Sequence, residues 1–405
     1  MTLTVTVTAV IAATGVAPAQ PPVEARPASI SGPLAPDQSP DRKPEPKPVT
    51  GLAPAGTPIQ SQCSTQAPVG RHSCVEVSTA STPPKEALRQ GPSVAAGITP
   101  PQWCDEAYNQ VWGTRTQACI WTTVRYWTYI TNGSGQRTTT GEAFITVMQY
   151  NYTDTGLGRY GHQIDTSMYS GWGDATKASI DGQATLTGPC TRNSATFPAK
   201  PLSPVNSWNT GESFWDSAIT GPAVTGKCQT FWYLTMNNPG YSPAVISYSM
   251  NEVRCDNATA GRPGIGCVIP WAASNLVYTR TATPELADHV AKAQASGLPS
   301  RLTRTEDQTV IDSNRTKACG SAPSVPGKSC DEYPIASSQQ GLHAGGVRRS
   351  HPGCGFTGVP TGTGPTGVSV CMIAAADNNS QGGTNTQFFR RERVLQSDPF
   401  NVVVQ

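Results

Sequence analysis

Hydrophobic and polar positions divide the chain into three stretches of different period. From 20 to about 99 no apolar period is sustained, and Pro, Ala and Ser dominate, as in Pro40-Asp41-Arg42-Lys43-Pro44-Glu45-Pro46-Lys47-Pro48. Such a stretch buries too little apolar surface to offset chain entropy, which predicts an extended linker or pro-region over 21–100. Between about 101 and 280 the period becomes two. Residues 119–130 alternate Trp121, Thr123, Arg125, Trp127 and Tyr129 with Ile120, Val124, Tyr126 and Ile130. The turn-forming Asn132-Gly133-Ser134-Gly135 and a second β-rich run at 143–152 predict a hairpin. Two more strands are expected at 230–236 and 244–253.

After Thr283 the period changes again. Pro284 suits a first helical position and Glu285 the helix dipole, while Leu286, Val290 and Ala293 recur at helical spacing before Gly297. A helix over 283–297 therefore opens a carboxy-terminal region, and a buried strand at 367–374 and a helix at 385–395 close it. The predicted architecture is multidomain: an all-β sandwich or barrel over 101–280, then a small domain over 281–405.

Composition sharpens this picture. Gly (39) and Pro (36) are abundant and charged residues make up only 14%, which argues against one large helical domain. The net charge of +2 gives the whole protein no electrostatic preference for nucleic acid. Twelve cysteines, paired in sequence order, would close loops 63–74, 104–119, 190–228, 255–267, 319–330 and 354–371. With no CxxC and no zinc-like histidine spacing, disulfides in an oxidising compartment are the better reading, although spacing leaves the connectivity open. Residues 3–17 are apolar but too short to span a bilayer, and Ala17-Pro18-Ala19 offers a cleavage site. A signal peptide over 1–20 and a secreted protein without a membrane span are expected, although 1–25 carry no Lys or Arg.

No GxSxG, HExxH or GxxxxGK[ST] motif occurs. Two segments near the carboxy terminus carry candidate chemistry. Cys330-Asp331-Glu332-Tyr333-Pro334 places two carboxylates side by side, and on a strand only one of them can face a given site. Ala376-Asp377-Asn378-Asn379-Ser380-Gln381-Gly382-Gly383 delivers oxygen-rich side chains between a strand and a helix, a setting for a hard divalent cation. It is not an EF-hand, because Phe388 stands where the bidentate Glu would be. A charged turn and an Asn/Gly-rich helix start are the plainer readings of these segments. Arg348, Arg349, Arg390, Arg391 and Arg393 flank them, and planar guanidinium groups suit phosphate oxygens. His343 and His351 are further candidate bases in a Gly-rich loop.

Taken together, Asp312-x-Asn314-Arg315, Cys330-Asp331-Glu332-Tyr333-Pro334-x-Ala336, Asp377-Asn378-x-x-x-Gly382-Gly383 and Arg393-Val394-Leu395-x-x-Asp398-Pro399-Phe400 resemble the secreted NucA/NucB-type deoxyribonucleases over roughly the last 110 residues. The resemblance implies a small α+β nuclease domain related to the ββα-metal nucleases, acting on DNA with little sequence preference. It implies Mg²⁺ or Mn²⁺ as cofactor, Asp331 as the base that activates water, and Glu332 as its neighbour or a metal partner. Asp377 and Asn378 would then be metal-proximal. Of the flanking arginines, chosen for guanidinium chemistry alone, Arg349 and Arg390 are expected to meet phosphate. Bridges among Cys319, Cys330, Cys354 and Cys371 would brace a domain too small to rely on its core. Two other readings compete: an aromatic β domain gripping polysaccharide or cell wall beside an inactive nuclease-like domain, and a secreted nuclease toxin.

Overall fold

The computed structural model describes residues 46–49, 55–58, 68–78 and 98–405. The expected signal peptide, and most of the expected linker, lie outside these residues. The molecule is mostly β, with three α-helices among the described residues and several disulfides. Among those residues no helix is long and apolar enough to cross a membrane.

Strands β1 (Gly70–Ser78), β2 (Gln117–Thr131), β3 (Arg137–Thr153) and β4 (Arg159–Gly173) form an antiparallel meander, each pairing with the next. β5 (Ser179–Thr187) crosses to a second sheet, whereas β6 (Cys190–Thr196) and β7 (Trp208–Ser217) return to the first, in the order β4-β7-β6. β8 (Thr225–Asn237) pairs β5 on one side and β9 (Ala244–Ser249) on the other. The first residues of β8 also pair β10 (Val253–Asp256), which pairs β11 (Gly266–Val268). The inward positions of the two sheets share one core. Val124, Tyr126, Ile145, Val147, Ile164 and Met168 meet Ile180, Trp232, Leu234, Met236 and Ile246 there. This alternation is what the period-two runs predicted.

β1 lies inside the stretch expected to be a linker. Cys74 and Val75 are buried there, and nine residues pair with β2, so this segment has the apolar positions that its Pro-rich neighbours lack. Adjacent pairing holds for 104–119, 190–228, 255–267, 319–330 and 354–371, and the 63–74 loop lies partly outside the described residues.

The carboxy-terminal region begins before residue 281. β12 (Ser274–Tyr278) runs parallel to the last strand of the chain, which pairs on its other side with β13 (Arg301–Thr303). Between these lie α1 (Pro284–Ala295), α2 (Gln308–Cys319) and β14 (Lys328–Tyr333), followed by β15 (Val347–Arg349), β16 (Gly367–Ala374), α3 (Ala375–Arg391) and the last strand, β17 (Pro399–Val404). β14 and β16 are antiparallel, and α3 follows β16 directly. The helix expected at 385–395 thus starts at 375 and ends at 391, absorbing the polar junction. Intrinsic propensity disfavours its Asn and Gly residues, but burying Phe388 and Phe389 against Phe400 and Val394 outweighs that preference.

A buried set of charges joins the two regions. Arg393 has φ 48, the left-handed conformation typical of the residue after a helix end. Its guanidinium donates to the carbonyls of Thr155 (2.6 Å), Asp256 (3.0 Å) and Gly264 (2.8 Å) and to the Asp256 carboxylate at 2.8 Å. Its own carbonyl accepts from Arg115 and Arg254, and both of those arginines also hold the Asp398 carboxylate. Burial alone would raise the Asp398 carboxyl, but Arg115 and Arg254 outweigh it and hold the group below the usual carboxylate range.

Candidate functional site

The site is built around β14. Its residues alternate between two faces, so Asp331 and Glu332 point in opposite directions. Asp331 faces α1. Its Oδ2 lies 2.6 Å from His289 Nδ1, and His289 Nε2 lies 2.9 Å from Ser369 Oγ. The order Ser–His–Asp is that of a hydrolytic triad, but all three residues are about 1% exposed or less, closed off from any substrate.

Glu332 faces the other way, into a groove of about 380 Å³. Arg315 and Cys319 of α2 form one wall, and Asn378, Asn379, Gln381, Gly382 and Asn385 of α3 form the other. Burial, and next the Asp331 charge behind it, pushes the Glu332 carboxyl up to about 8, while Arg315 pulls the other way. Its carboxylate meets the Cys319 sulfur at 3.5 Å, which as half of a disulfide has no proton to donate. Asn378 Nδ2 donates to Ser329 Oγ (2.8 Å) and the Cys330 carbonyl (3.1 Å), which leaves its Oδ1 as the atom available to a ligand.

Asp377 is turned away from the groove. Its Oδ2 accepts from the backbone N–H groups of Glu285 (2.9 Å) and Leu286 (3.4 Å), capping the start of α1, where the Thr283 side chain makes no cap. Glu285 returns the contact by accepting from the Ala374 N–H at 2.6 Å at the start of α3, and it also binds Lys328. The hydrogen bond from Lys328 holds the Glu285 carboxyl below its ordinary range. Each helix start is thus satisfied by a carboxylate from the other.

The two arginines expected to bind phosphate lie elsewhere. Arg349 is buried and donates to the carbonyls of Ser296 (3.2 Å), Gly364 (3.0 Å) and Thr366. Arg390 donates to the Ala260 carbonyl at 3.0 Å, across the join to the β region. Neither they nor His343 and His351 line the groove. Of the expected site residues, the structure brings Glu332 and Asn378 together there, with the Cys319–Cys330 bridge at its edge. It does not bring Asp331, Asp377, Arg349 or Arg390 there. Cys354–Cys371 closes a separate loop.

Sequence reasoning gave no role to His289, Arg315 or Gln381. Asn314 and Arg315, quoted as part of one motif, split their roles. Buried Asn314 donates to the carbonyls of Ala336 (2.9 Å) and Ser338 (3.1 Å), fixing the loop after β14, while exposed Arg315 reaches the groove. Gly341 is required beside it, because a Cβ there would lie 2.3 Å from Asn314 Oδ1.

Among the described residues no three His, Cys, Asp or Glu side chains converge as a metal-binding cluster. The groove offers a hard cation the Glu332 carboxylate and Asn378 Oδ1, with the side-chain oxygens of Ser337 and Asn379 also on its lining. That small set suits Mg²⁺, which keeps much of its shell as water and takes one or two carboxylates.

A carboxylate-bearing, open groove between two helices can position water against an extended polar substrate. Residues 290–403 match the family model Deoxyribonuclease NucA/NucB, in agreement with the resemblance carried by the sequence motifs. His289 stands immediately before the matched segment. No curated protein matches the chain.

Proposed function

We propose that this protein is a secreted, metal-dependent endodeoxyribonuclease whose hydrolytic site is the Glu332 groove. The observation that carries this reading is that the residues matching the deoxyribonuclease family supply an open groove lined by the Glu332 carboxylate, the Arg315 guanidinium and the Asn378 amide. The β14–β16 pair followed by α3 supports a ββα-metal type of nuclease domain.

Glu332 is the base that accepts a proton from the attacking water, in place of Asp331, whose carboxylate is engaged by His289 on the closed face. Arg315 meets the phosphate, a role for which Arg349 is committed to buried carbonyls and Arg390 lies outside the groove. Glu332 and Asn378 Oδ1 would hold Mg²⁺ or Mn²⁺, which when bound supplies charge neutralisation at the phosphate and the leaving oxygen. Asp331 and His289 position β14 from behind. The five disulfides among the described residues fit an extracellular protein, to which the expected signal peptide would direct the chain. Nothing supports a polysaccharide role for the β region, where Trp172 is the exposed tryptophan among the described residues.

The test is nicking of plasmid DNA by the full-length chain with Mg²⁺ or Mn²⁺, with EDTA, and by Glu332→Gln. The expected result is metal-dependent nicking that EDTA abolishes and that the substitution lowers about 10²–10⁴-fold. Full activity of Glu332→Gln would rule out Glu332 as the base.

A further inference from the structure

We propose that the Cys319–Cys330 bridge is a modification site: exchange with a small thiol opens it, and opening it switches the hydrolytic groove off. The inference rests on the nuclease reading and adds a control to it.

Access singles this bridge out. Of the five bridges among the described residues, the other four each contain a cysteine that is 1% exposed or less. Cys319 and Cys330 are both partly exposed, and both line the Glu332 groove. Thiol–disulfide exchange needs an open approach to a sulfur, which only the groove provides in both partners of a bridge.

The place of the bridge makes its opening consequential. Cys319 is the last residue of α2, four residues after Arg315. Cys330 stands two residues before Glu332 on β14 and shares its face. The bridge thus ties the wall that carries the guanidinium to the strand that carries the carboxylate. Packing holds α2 less firmly than α1: Ile311, Asn314 and Ala318 are its buried residues, whereas α1 buries five. Glu332 Oε2 lies 3.5 Å from Cys319 Sγ, so a group added to that sulfur enters the space beside the proposed base.

In the first step a thiolate of the reagent attacks one sulfur of the bridge and the S–S bond breaks. A mixed disulfide forms there, and the electron pair leaves on the other sulfur, which takes a proton from water. A second thiol then displaces the protein sulfur, leaving two cysteine thiols and one reagent disulfide. The mixed disulfide fills the groove, and the open dithiol lets α2 carry Arg315 away from Glu332. A misplacement of about 1 Å is enough to lower a rate about 10²-fold. The chain is then quiet in a reducing cytosol and active where the bridge forms after export.

The experiment treats the oxidised full-length chain with rising concentrations of glutathione, with S-methylglutathione, which cannot exchange, as the control for metal binding. One half of each sample is assayed for plasmid nicking with Mg²⁺ and for melting. The other half is trapped with N-ethylmaleimide and its cysteines are mapped by peptide mass. Cys319 and Cys330 are expected to react first, with nicking falling about 10²-fold in step while a cooperative melting transition remains. Reoxidation should restore nicking. The double variant Cys319→Ala/Cys330→Ala, open permanently, should nick as weakly as the reduced chain and ignore mild glutathione. Should that variant fail to fold, exchange and reoxidation of the parent decide alone. Another bridge reacting first overturns the proposal, as does undiminished nicking once Cys319 and Cys330 are open. Nicking that disappears only together with the melting transition makes the bridge structural and also overturns the switch. A chain that opens selectively at this bridge but never nicks DNA when oxidised sinks the hydrolytic reading and leaves the exchange site standing.

Discussion

The join to the β region and the groove lie at opposite extremes of how buried polar groups are treated. At the join, Arg115, Arg254 and Arg393 spend their donors on Asp398, Asp256 and a ring of carbonyls. In the groove, Glu332 faces a disulfide sulfur, burial and the Asp331 charge work against its ionisation, and Gly382 leaves space that the chain does not use. Both are rich in polar groups drawn from α3 and its neighbours. A satisfied network fixes geometry, whereas an unsatisfied one holds free energy in reserve for a ligand. Arginine content alone would have pointed to the wrong place.

The largest effect expected from breaking this contrast comes from cutting the chain at 281. The fragment 281–405 lacks β12, and with it Leu276 and Tyr278 from the core and the strand that pairs β17. It also leaves Arg393 and Asp398 without Arg115, Arg254 and the Thr155 and Asp256 acceptors. Circular dichroism and thermal melting of the fragment should show no cooperative transition. A cooperative transition like that of the parent would show the join to be dispensable.

A single substitution tests the join more gently. Asp398→Asn removes the charge facing two buried arginines and should cost about 3–5 kcal/mol in denaturant unfolding at pH 7. Because the Asp398 carboxyl is depressed, its stabilisation is present above the unfolded value of about 3.9 and is lost as pH falls through the folded value. The gap between parent and variant should therefore shrink below about pH 4. A gap that does not change with pH would mean that the carboxylate charge is not what the join uses.

Glu332→Gln sharpens the contrast from the groove side, with the opposite sign. A carboxyl raised to about 8 in the fold favours the folded state only while it is protonated. In EDTA the parent should lose stability relative to the variant from about pH 4.3 upward, with the difference complete above about 8. Activity is thus lost by the variant while stability is gained, the pattern of a residue kept for function. A variant less stable than the parent at pH 9 would place Glu332 among the structural groups.

The contrast also marks what could be read along the chain. The period-two runs gave β2, β3 and β8, and Pro284 with Leu286, Val290 and Ala293 gave α1, because those patterns state which face is buried. His289 lies on that same apolar stripe, three residues after Leu286, and a histidine there is a legible sign of a buried partner. Alternation on β14 showed that only one of Asp331 and Glu332 could face a site. Which one depended on the side that α1 covers, a tertiary choice absent from local pattern. α3 was truncated in prediction because Asn and Gly lower helix propensity, while the packing of Phe388 and Phe389 that overrides it is long-range. Arg349 and Arg390 were misplaced because residue type does not say whether carbonyls or phosphates will be the acceptor.

Asp377 gives the smallest and most discriminating effect, because it stands between the two classes. Its carboxylate belongs to the strand–helix segment read as metal-proximal, yet in the fold it caps α1 through the N–H groups of Glu285 and Leu286. As a cap, Asp377→Ala should cost about 1 kcal/mol, read as a modest fall in melting temperature. Asp377→Asn keeps an acceptor oxygen and should restore much of that stability while losing the favourable charge at the helix start. Neither change should alter the Mg²⁺ concentration needed for half-maximal nicking. If Asp377→Asn melts like the parent but needs far more Mg²⁺, Asp377 belongs to the groove's chemistry, and the reciprocal capping of α1 and α3 is secondary.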